Sequence, residues 1–415
     1  MAPDPAIRQI VIIDDMSVAR GGATALALLS ARLMRKRGHR VIYVTGDNGE
    51  NPEIAELGIE ILAAKGRRLL DQSAVKSAVQ GIYNTNISRI LRRFIAERDT
   101  PDTLYHLHGW AQTLSPSVFA PLRAVAARTL VHCHDLFLAC PNAVFFDFQT
   151  STDCSRKPLG MSCLATNCDK RSYAHKIWRV GRQLMLRRLF DQNKPWAAIV
   201  VIHPNMKARL VQSGYPFDRL VTIRNPATRY TKSRIKAEDN NRFAFIGRLE
   251  PDKGILEFLS ATQQIGAKAV VVGDGSLRGE LVEKYPSVTF TGWQEAGQIG
   301  AAVKSCRALV MPSRFREPFG LVAVEASLSG LPVVLSENAY LAAEIVENGL
   351  GFACDAQNPA AFARALTRVR DADAAKIRDI SVRAFSGVGE LAQSEQQWAD
   401  QLAALYSQTL RNGSL

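Results

Sequence analysis

The sequence predicts an α/β protein built from two doubly wound, parallel-sheet domains, and three observations carry that expectation. Short apolar runs that read as strands alternate with helical patterns in both halves of the chain. Two of those runs open through glycine-containing loops directly into helices: FIGRLEPDKG (Phe245 to Gly254), and CRALVMPSRF followed by EPFGLVAVEA (Cys306 to Phe315, Glu317 to Ala326). With 415 residues, 47% of them hydrophobic, the chain has enough apolar surface for two or three cores.

In the first half, IRQIVIIDD (Ile7 to Asp15) is an apolar strand, Gly21-Gly22 precede a helix ending near Gly38, and VIYVT (Val41 to Thr45) is the next strand. The loop lacks the spaced glycines of a dinucleotide fingerprint, so no NAD site is expected. An Arg-rich helix (Ile87 to Arg98) leads to strands over Thr103 to Gly109 and Arg128 to Asp135. Four of the seven histidines, His106, His108, His132 and His134, fall near the ends of these two strands. Alternation puts each pair on one face. A strand-end histidine can be a structural hydrogen-bonder, but the C-terminal edge of such a sheet is also where ligands bind.

Residues 135–170 form a loop carrying Cys140, Cys154, Cys163 and Cys168 at spacings x13, x8 and x4. Four thiols so placed fit either a tetrahedral structural zinc site or reduced, buried or redox-labile thiols; no C-x2-C pair is present. RSYAHKIWRVGRQLMLRRLF (Arg171 to Phe190) reads as a helix. Its aromatics are expected in the core with the arginines snorkelling, the other reading being a helix laid on an anionic membrane through Arg171, Lys176, Arg179, Arg182, Arg187 and Arg188. Strands at Ala197 to His203 and Leu220 to Pro226 close this half, so the first domain is expected over 1–226. The polar, aperiodic stretch 227–240 reads as a linker.

The second domain, 241–390, alternates cleanly. Strand Arg242 to Ile246 leads to helix Ile255 to Ile265, strand Lys268 to Val272 and the tight turn Gly273 to Gly275. Helix Leu277 to Lys284, strand Val288 to Thr291 and a helix near Gln298 to Lys304 follow, then the strand at Cys306. Pro318 and Gly320 keep Glu317 in a loop, and a helix starts at Leu321 with Glu325 about one turn inside. The amides near Phe319, Gly320 and Leu321 could hold a diphosphate at the helix N-terminus, flanked by the two carboxylates. Arg248 and Lys253 form a phosphate clamp, and Gly247 allows close backbone approach. Carboxylates beside an anion need their oxygens engaged, and hydroxyls of a sugar and a ribose suit them. Helices from Pro359 to Leu410 end the chain.

Together these residues, Gly247, Arg248, Lys253, Gly254, Glu317 and Glu325, resemble the Gly-Arg…Lys-Gly, Glu-x7-Glu pattern of family 4 glycosyltransferases; the likeness is strongest over 241–370. The resemblance implies a GT-B fold, two Rossmann-like domains facing a central cleft, with the helix in 391–415 crossing back onto the first domain. It implies that Arg248 and Lys253 bind the donor diphosphate, Glu325 the ribose and Glu317 the hydroxyls of the transferred sugar. It places Gly273 near the nucleotide, Gly22 at the donor phosphate, Gly21, His108 and Asp135 on the acceptor side, and His134 beside the sugar. It further implies retention of configuration, with no cofactor and no metal at the phosphates. Pro226, Ala227 and Thr228 depart from the family's usual sequence after Asn225.

The formal charge of +13 is unevenly spread: residues 1–225 hold 31 Lys+Arg against 18 Asp+Glu, and the remainder 21 against 21. An anionic partner is therefore expected on the first domain. With the resemblance, that implies a nucleoside diphosphate sugar donor and a glycan or glycolipid acceptor of surface polysaccharide synthesis, with peripheral contact to an anionic membrane. The N-terminal residues resemble no export signal and no long uncharged apolar run exists, so a cytoplasmic protein, at the inner face of a membrane, is expected. Two other readings stand beside this one: a sugar-nucleotide epimerase or phosphorylase on the same fold, and a basic nucleic-acid-binding module, for which charge speaks but no motif does.

Overall fold

The computed structural model describes residues 7–19 and 21–413, which form two compact units. The first comprises the chain up to Arg224 together with the stretch from Glu395; the second is Asn225–Ser394.

The first unit is organised by strands β1 (Gln9–Asp14), β2 (Arg40–Thr45), β3 (Glu60–Ala63), β4 (Thr103–Leu107) and β5 (Thr129–Cys133). A two-stranded ribbon, β6 (Phe146–Asp147) with β7 (Thr152–Asp153), follows, and then β8 (Ala198–Val201) and β9 (Leu220–Thr222). The seven-stranded sheet runs β3-β2-β1-β4-β5-β8-β9 and is parallel throughout. Every residue of β1, β4 and β5 is buried. Strands covered on both faces need apolar residues at successive positions, so they read as continuous runs instead of alternating ones. Helix Gly22–Lys36 buries Leu26, Ala27, Ala31 and Met34, and helix Glu395–Gly413 packs beside it with Trp398 and Tyr406 inaccessible to solvent.

β3 and helix Ala74–Ile82 lie in a stretch for which the sequence suggests no element. β3 is a half-exposed edge strand of four residues, too short for a periodic signal.

Helix Tyr173–Leu189 is present, but its orientation corrects the sequence reading. Lys176, Arg182 and Gln183 point into the core, while Tyr173, Ile177 and Leu184 are exposed. Arg182 is accommodated because it donates to Ala111 O at 2.7 Å and lies 5.2 Å from the Trp110 ring centroid. Lys176 and Arg182 therefore do not belong to a membrane-facing set, and Arg179 is held by Asp169 at 2.7 Å.

The second unit contains β10 (Arg242–Ile246), β11 (Lys268–Val272), β12 (Thr289–Gly292), β13 (Cys306–Met311), β14 (Val333–Ser336) and β15 (Gly351–Cys354). Its sheet is also parallel, in the order β12-β11-β10-β13-β14-β15. Both sheets reverse direction of growth once, beside β1 and β4 in the first and β10 and β13 in the second. Ligands of doubly wound sheets bind outside the strand ends at such a switch.

Residues 227–240, expected as a linker, are folded onto the second unit. Ile235 and Ala237 are buried, Ile235 N donates to Ser329 O at 2.9 Å, and Arg234 clamps both oxygens of Glu238 at 2.8 and 2.6 Å. The stretch reads as a linker because its few apolar residues have no period. The ends of this unit meet: Ala227 N donates to Gln393 O at 3.1 Å and Gln393 N to Asn225 O at 3.3 Å.

Candidate functional site

In the second unit the chain leaves β10 through Gly247-Arg248 and reaches Lys253 on a single 3-10 turn, Pro251–Lys253. It leaves β13 at Met311 and reaches Glu317 before helix Leu321–Leu328. Because β10 and β13 are neighbours, the two loops converge. Lys253 Nζ sits 2.9 Å from both Glu317 Oε1 and Oε2, 4.9 Å from the Phe315 ring centroid, and Ser313 Oγ donates to Glu317 Oε2 at 3.0 Å. The lysine expected on the phosphates and the glutamate expected on the sugar are thus each other's partners. Arg248 has 61% of its side chain exposed and only a 3.8 Å approach to Asp252, so its guanidinium faces solvent.

Gly320 caps the helix with φ of +74°, a left-handed conformation that suits glycine, and Phe319 is buried behind it. Gly273 follows β11 with φ of +137°; a Cβ there would lie 1.9 Å from the Gly247 carbonyl oxygen, so these two loops can approach only with glycine at this position.

Glu325 differs from Glu317. Burial lifts its carboxyl from the usual range to about 7, partly countered by the Tyr230 hydroxyl, which donates to Oε2 at 3.0 Å. Nothing in the sequence marks Tyr230, which lies 95 residues away in a stretch that reads as a linker.

In the first unit the ends of β1, β4 and β5 surround a cavity of about 90 Å³, lined among others by Asp14, Asp15, His108, His132, His134 and Asp135. The four histidines form one stack: ring centroids are 5.3 Å apart for His106 and His132, 4.8 Å for His108 and His132, and 4.3 Å for His132 and His134. His108 Nδ1 lies 3.0 Å from His134 Nε2, His132 Nδ1 3.2 Å from His106 Nε2, and His106 Nδ1 2.6 Å from the Tyr406 hydroxyl. Among the described residues His134 Nδ1, His108 Nε2 and His132 Nε2 have no hydrogen-bond partner. Burial pushes His106 and His134 down to about 3 and His108 and His132 well below the usual value, so all four are neutral at pH 7. Neutral imidazoles are competent metal ligands, and one ring nitrogen each of His106, His108 and His132 lie within 4.8 Å of one another.

The acids here divide by role. Asp15 is structural, accepting from Gln112 N, Thr113 N and Leu114 N at 2.9, 2.7 and 2.9 Å. Asp14 accepts from Thr24 Oγ1 at 2.8 Å, and burial raises its carboxyl to about 8. Burial also raises Asp135 to about 6, with Phe137 N–H opposing at 2.8 Å. The adjacent acids Asp14 and Asp15, closing an otherwise apolar strand, are the sequence signal that could have located this cavity. Gly21 is exposed in extended backbone, with nothing within 4 Å of the position a Cβ would take, and Gly22 is the first residue of its helix.

The four loop thiols are all buried and unpaired as disulfides. They are not drawn into a set of three sulfurs within 4.8 Å, as a closed tetrahedral cage requires; among the described residues the histidine group is the one that meets that distance.

Two parallel units of this topology define the GT-B class of fold. Residues 227–380 match the family "Glycosyl transferases group 1" and residues 21–226 the "Glycosyl transferase 4-like domain". The chain belongs to the group 1 glycosyltransferases, of the family 4 type. Over 145 residues it is 29% identical to glycogen synthase of Mycobacterium tuberculosis, a match covering 32% of this chain and 35% of that protein. The chain spans between about a third and a half of the length of the curated relatives it matches. In structure it is similar to sucrose-phosphate synthase from Thermosynechococcus elongatus (TM-score 0.73, 19% identity, 97% of this chain and 98% of that one). It is also similar to Anabaena HepE in complex with UDP (TM-score 0.66, 18% identity, 96% and 100%).

Proposed function

We propose that the protein transfers a sugar from a nucleoside diphosphate sugar to an acceptor hydroxyl with retention of configuration. The observation that carries this reading is the Lys253–Glu317 pair where β10 and β13 diverge, with the exposed Arg248 beside it. A donor diphosphate competes for the ammonium of Lys253, and its arrival frees the Glu317 carboxylate to accept from sugar hydroxyls. Binding the charged end of the donor is thereby coupled to arming the group that positions the sugar. Arg248, Lys253 and the N-terminus of helix Leu321–Leu328 then stabilise the negative charge that grows on the leaving diphosphate.

Glu325, held by Tyr230, takes the ribose hydroxyls. At neutral pH it is close to half protonated, so it can donate as well as accept. His134 acts as a neutral hydrogen-bonding group beside the sugar, with Asp135, His108 and Gly21 on the acceptor side and Gly22 and Gly273 letting backbone approach the nucleotide. The UDP carried by the HepE structure makes a uridine nucleotide the first donor to test.

Thermal shift against a panel of nucleoside diphosphates and their sugars tests the reading, since a ligand of the native state alone raises its stability by mass action. One base should raise the midpoint, and Lys253→Ala should abolish the rise and lower kcat/KM by about 10²- to 10³-fold. A panel with no shift for any nucleotide overturns the donor assignment.

The acceptor is proposed to be membrane-borne, a glycan or glycolipid of surface polysaccharide synthesis at the inner face of the membrane. A particular surface favours this: Leu70, Val75 and Val79 are 72%, 77% and 65% exposed on helix Ala74–Ile82 and the turn before it, with Lys65, Arg67 and Lys76 exposed among them. That helix packs on Tyr173–Leu189, whose Ile177 and Leu184 are also exposed. Apolar side chains ringed by cations suit an anionic lipid surface. No helix among the described residues is long and apolar enough to cross a membrane.

A further inference from the structure

We propose that His106, His108 and His132 bind one zinc ion beside the cavity of the first unit, tying β4, β5 and helix Glu395–Gly413 together. The strand pattern brings the three imidazoles to one place. Residues 106 and 108 stand two apart at the end of β4 and so share a face of the sheet. The parallel register of β4 and β5 pairs Tyr105 with Thr129, His106 with Leu130 and Leu107 with Val131. One step further along, that register sets His108 beside His132. All three are buried, at 0%, 4% and 3% exposure, and one ring nitrogen of each lies within 4.8 Å of the other two.

The lone pairs are the main argument. His106 Nδ1 lies 2.6 Å from the Tyr406 hydroxyl, and His108 Nδ1 lies 3.0 Å from His134 Nε2. A ring whose Nδ1–H donates keeps a lone pair on Nε2, and this is how the outer partner of a metal-binding histidine fixes its tautomer. His106 Nε2 then stands 3.2 Å from His132 Nδ1. Two nitrogens bound to one tetrahedral zinc at about 2.0–2.1 Å are roughly 3.3 Å apart, and their ring centroids about 5 Å. The His106 and His132 centroids are 5.3 Å apart with the planes 15° from parallel, so the pair already has the spacing of two ligands on one ion. The third ring brings its own free nitrogen. Among the described residues His108 Nε2 is buried without a hydrogen-bond partner, as is His132 Nε2, and buried polar atoms left unpaired call for a cause such as a bound ion.

Three imidazoles supply no charge. The carboxyl groups of Asp14 and Asp135 line the same cavity as His108 and His132, and their ionised forms offset a divalent ion. At about 90 Å³ that cavity also has room for the water that completes a four-coordinate shell. Nitrogen donors suit zinc, and three histidines with a fourth position left to water is one of its usual shells. Helix Glu395–Gly413 closes the site, with Tyr406 on His106 and the Trp398 ring centroid 6.4 Å from that of His132. His132 in turn lies against His134, with centroids 4.3 Å apart and planes 9° from parallel, so an ion that fixes the first ring also steadies the second. The inference goes beyond the donor reading and does not rest on it.

The test uses the full chain without a histidine tag, purified without chelators and measured for metal by mass spectrometry. One zinc per chain is expected, falling to near zero in His106→Gln. Tyr406→Phe keeps the aromatic ring but removes the partner of His106, so zinc affinity measured by chelator competition should fall by about 10- to 100-fold. Cobalt exchanged into the wild type should give only weak d–d bands, because nitrogen ligands lack the strong charge-transfer absorption of thiolates; that result stands even if a variant fails to fold. Protein that is metal-free and takes up no added zinc, zinc retained in folded His106→Gln, or a thiolate-to-cobalt band that puts the ion on cysteines overturns the proposal.

Discussion

At the scale of single residues, Glu325 contributes a pH response of its own, alongside Asp14 and Asp135. Its folded-state value of about 7 lies above the 4.5 of a free carboxyl, so between those limits the folded protein binds more protons than the unfolded chain. Stability contributed by the protonated form is therefore full below pH 4.5 and is lost as pH rises towards 7, by up to about 3 kcal/mol. Glu325→Gln removes the titration and keeps an acceptor for Tyr230. Its melting midpoint relative to wild type should rise from pH 5 to pH 8; a constant difference would show that Glu325 ionises normally in the fold. The placement of Arg248, Lys253 and Glu317 on loops that follow strands, and of Glu325 about one turn inside a helix, was legible from sequence because those loops are short. Tyr230 and Tyr406 were not, since they reach Glu325 and His106 across 95 and 300 residues and no local pattern encodes such a meeting.

For the elements, periodicity located most strands and the longer helices, but not β3 or helices Pro52–Glu56, Ala74–Ile82 and Met206–Gln212, and it did not say which face of Tyr173–Leu189 turns inward. Hydrophobicity alone points Ile177 and Leu184 to the core; cation–π and carbonyl contacts take Arg182 there instead. The residues left outside motivate a prediction about helix Ala74–Ile82. Val75→Glu combined with Val79→Glu should weaken sedimentation with anionic vesicles at least about tenfold, since each buried Val contributes about 1.5–3 kcal/mol. Folding should be unaffected, because both side chains are exposed. Raised salt should weaken wild-type binding too. Equal, negligible sedimentation with anionic and neutral vesicles would remove the membrane-borne acceptor.

For the whole molecule, the division into two doubly wound units was legible and the resemblance implied the return of the last helix to the first; what was not legible is that residues 227–240 fold onto the second unit. The first unit is discontinuous in sequence: Trp398, Ala399, Leu402 and Tyr406, all fully buried, follow the second unit in the chain. Trp398→Ala should therefore cost about 3–5 kcal/mol. The loss should appear in hydrogen exchange at amides of β1 and β4, with those of β10 and β13 retaining their protection. Uniform loss across both sheets would mean that the two units unfold as one.

Because the ends of Asn225–Ser394 meet at Gln393, that unit is complete in contacts before Glu395 is added. On the ribosome the order of events follows. Synthesis of these residues takes roughly 10–30 s at about 5–20 residues per second, during which the earlier sheet lacks its last helix and the groove for Trp398 and Tyr406 lies open. The second unit thus matures ahead of the unit that precedes it in the gene, and His106 meets its tyrosine partner only once helix Glu395–Gly413 has been made.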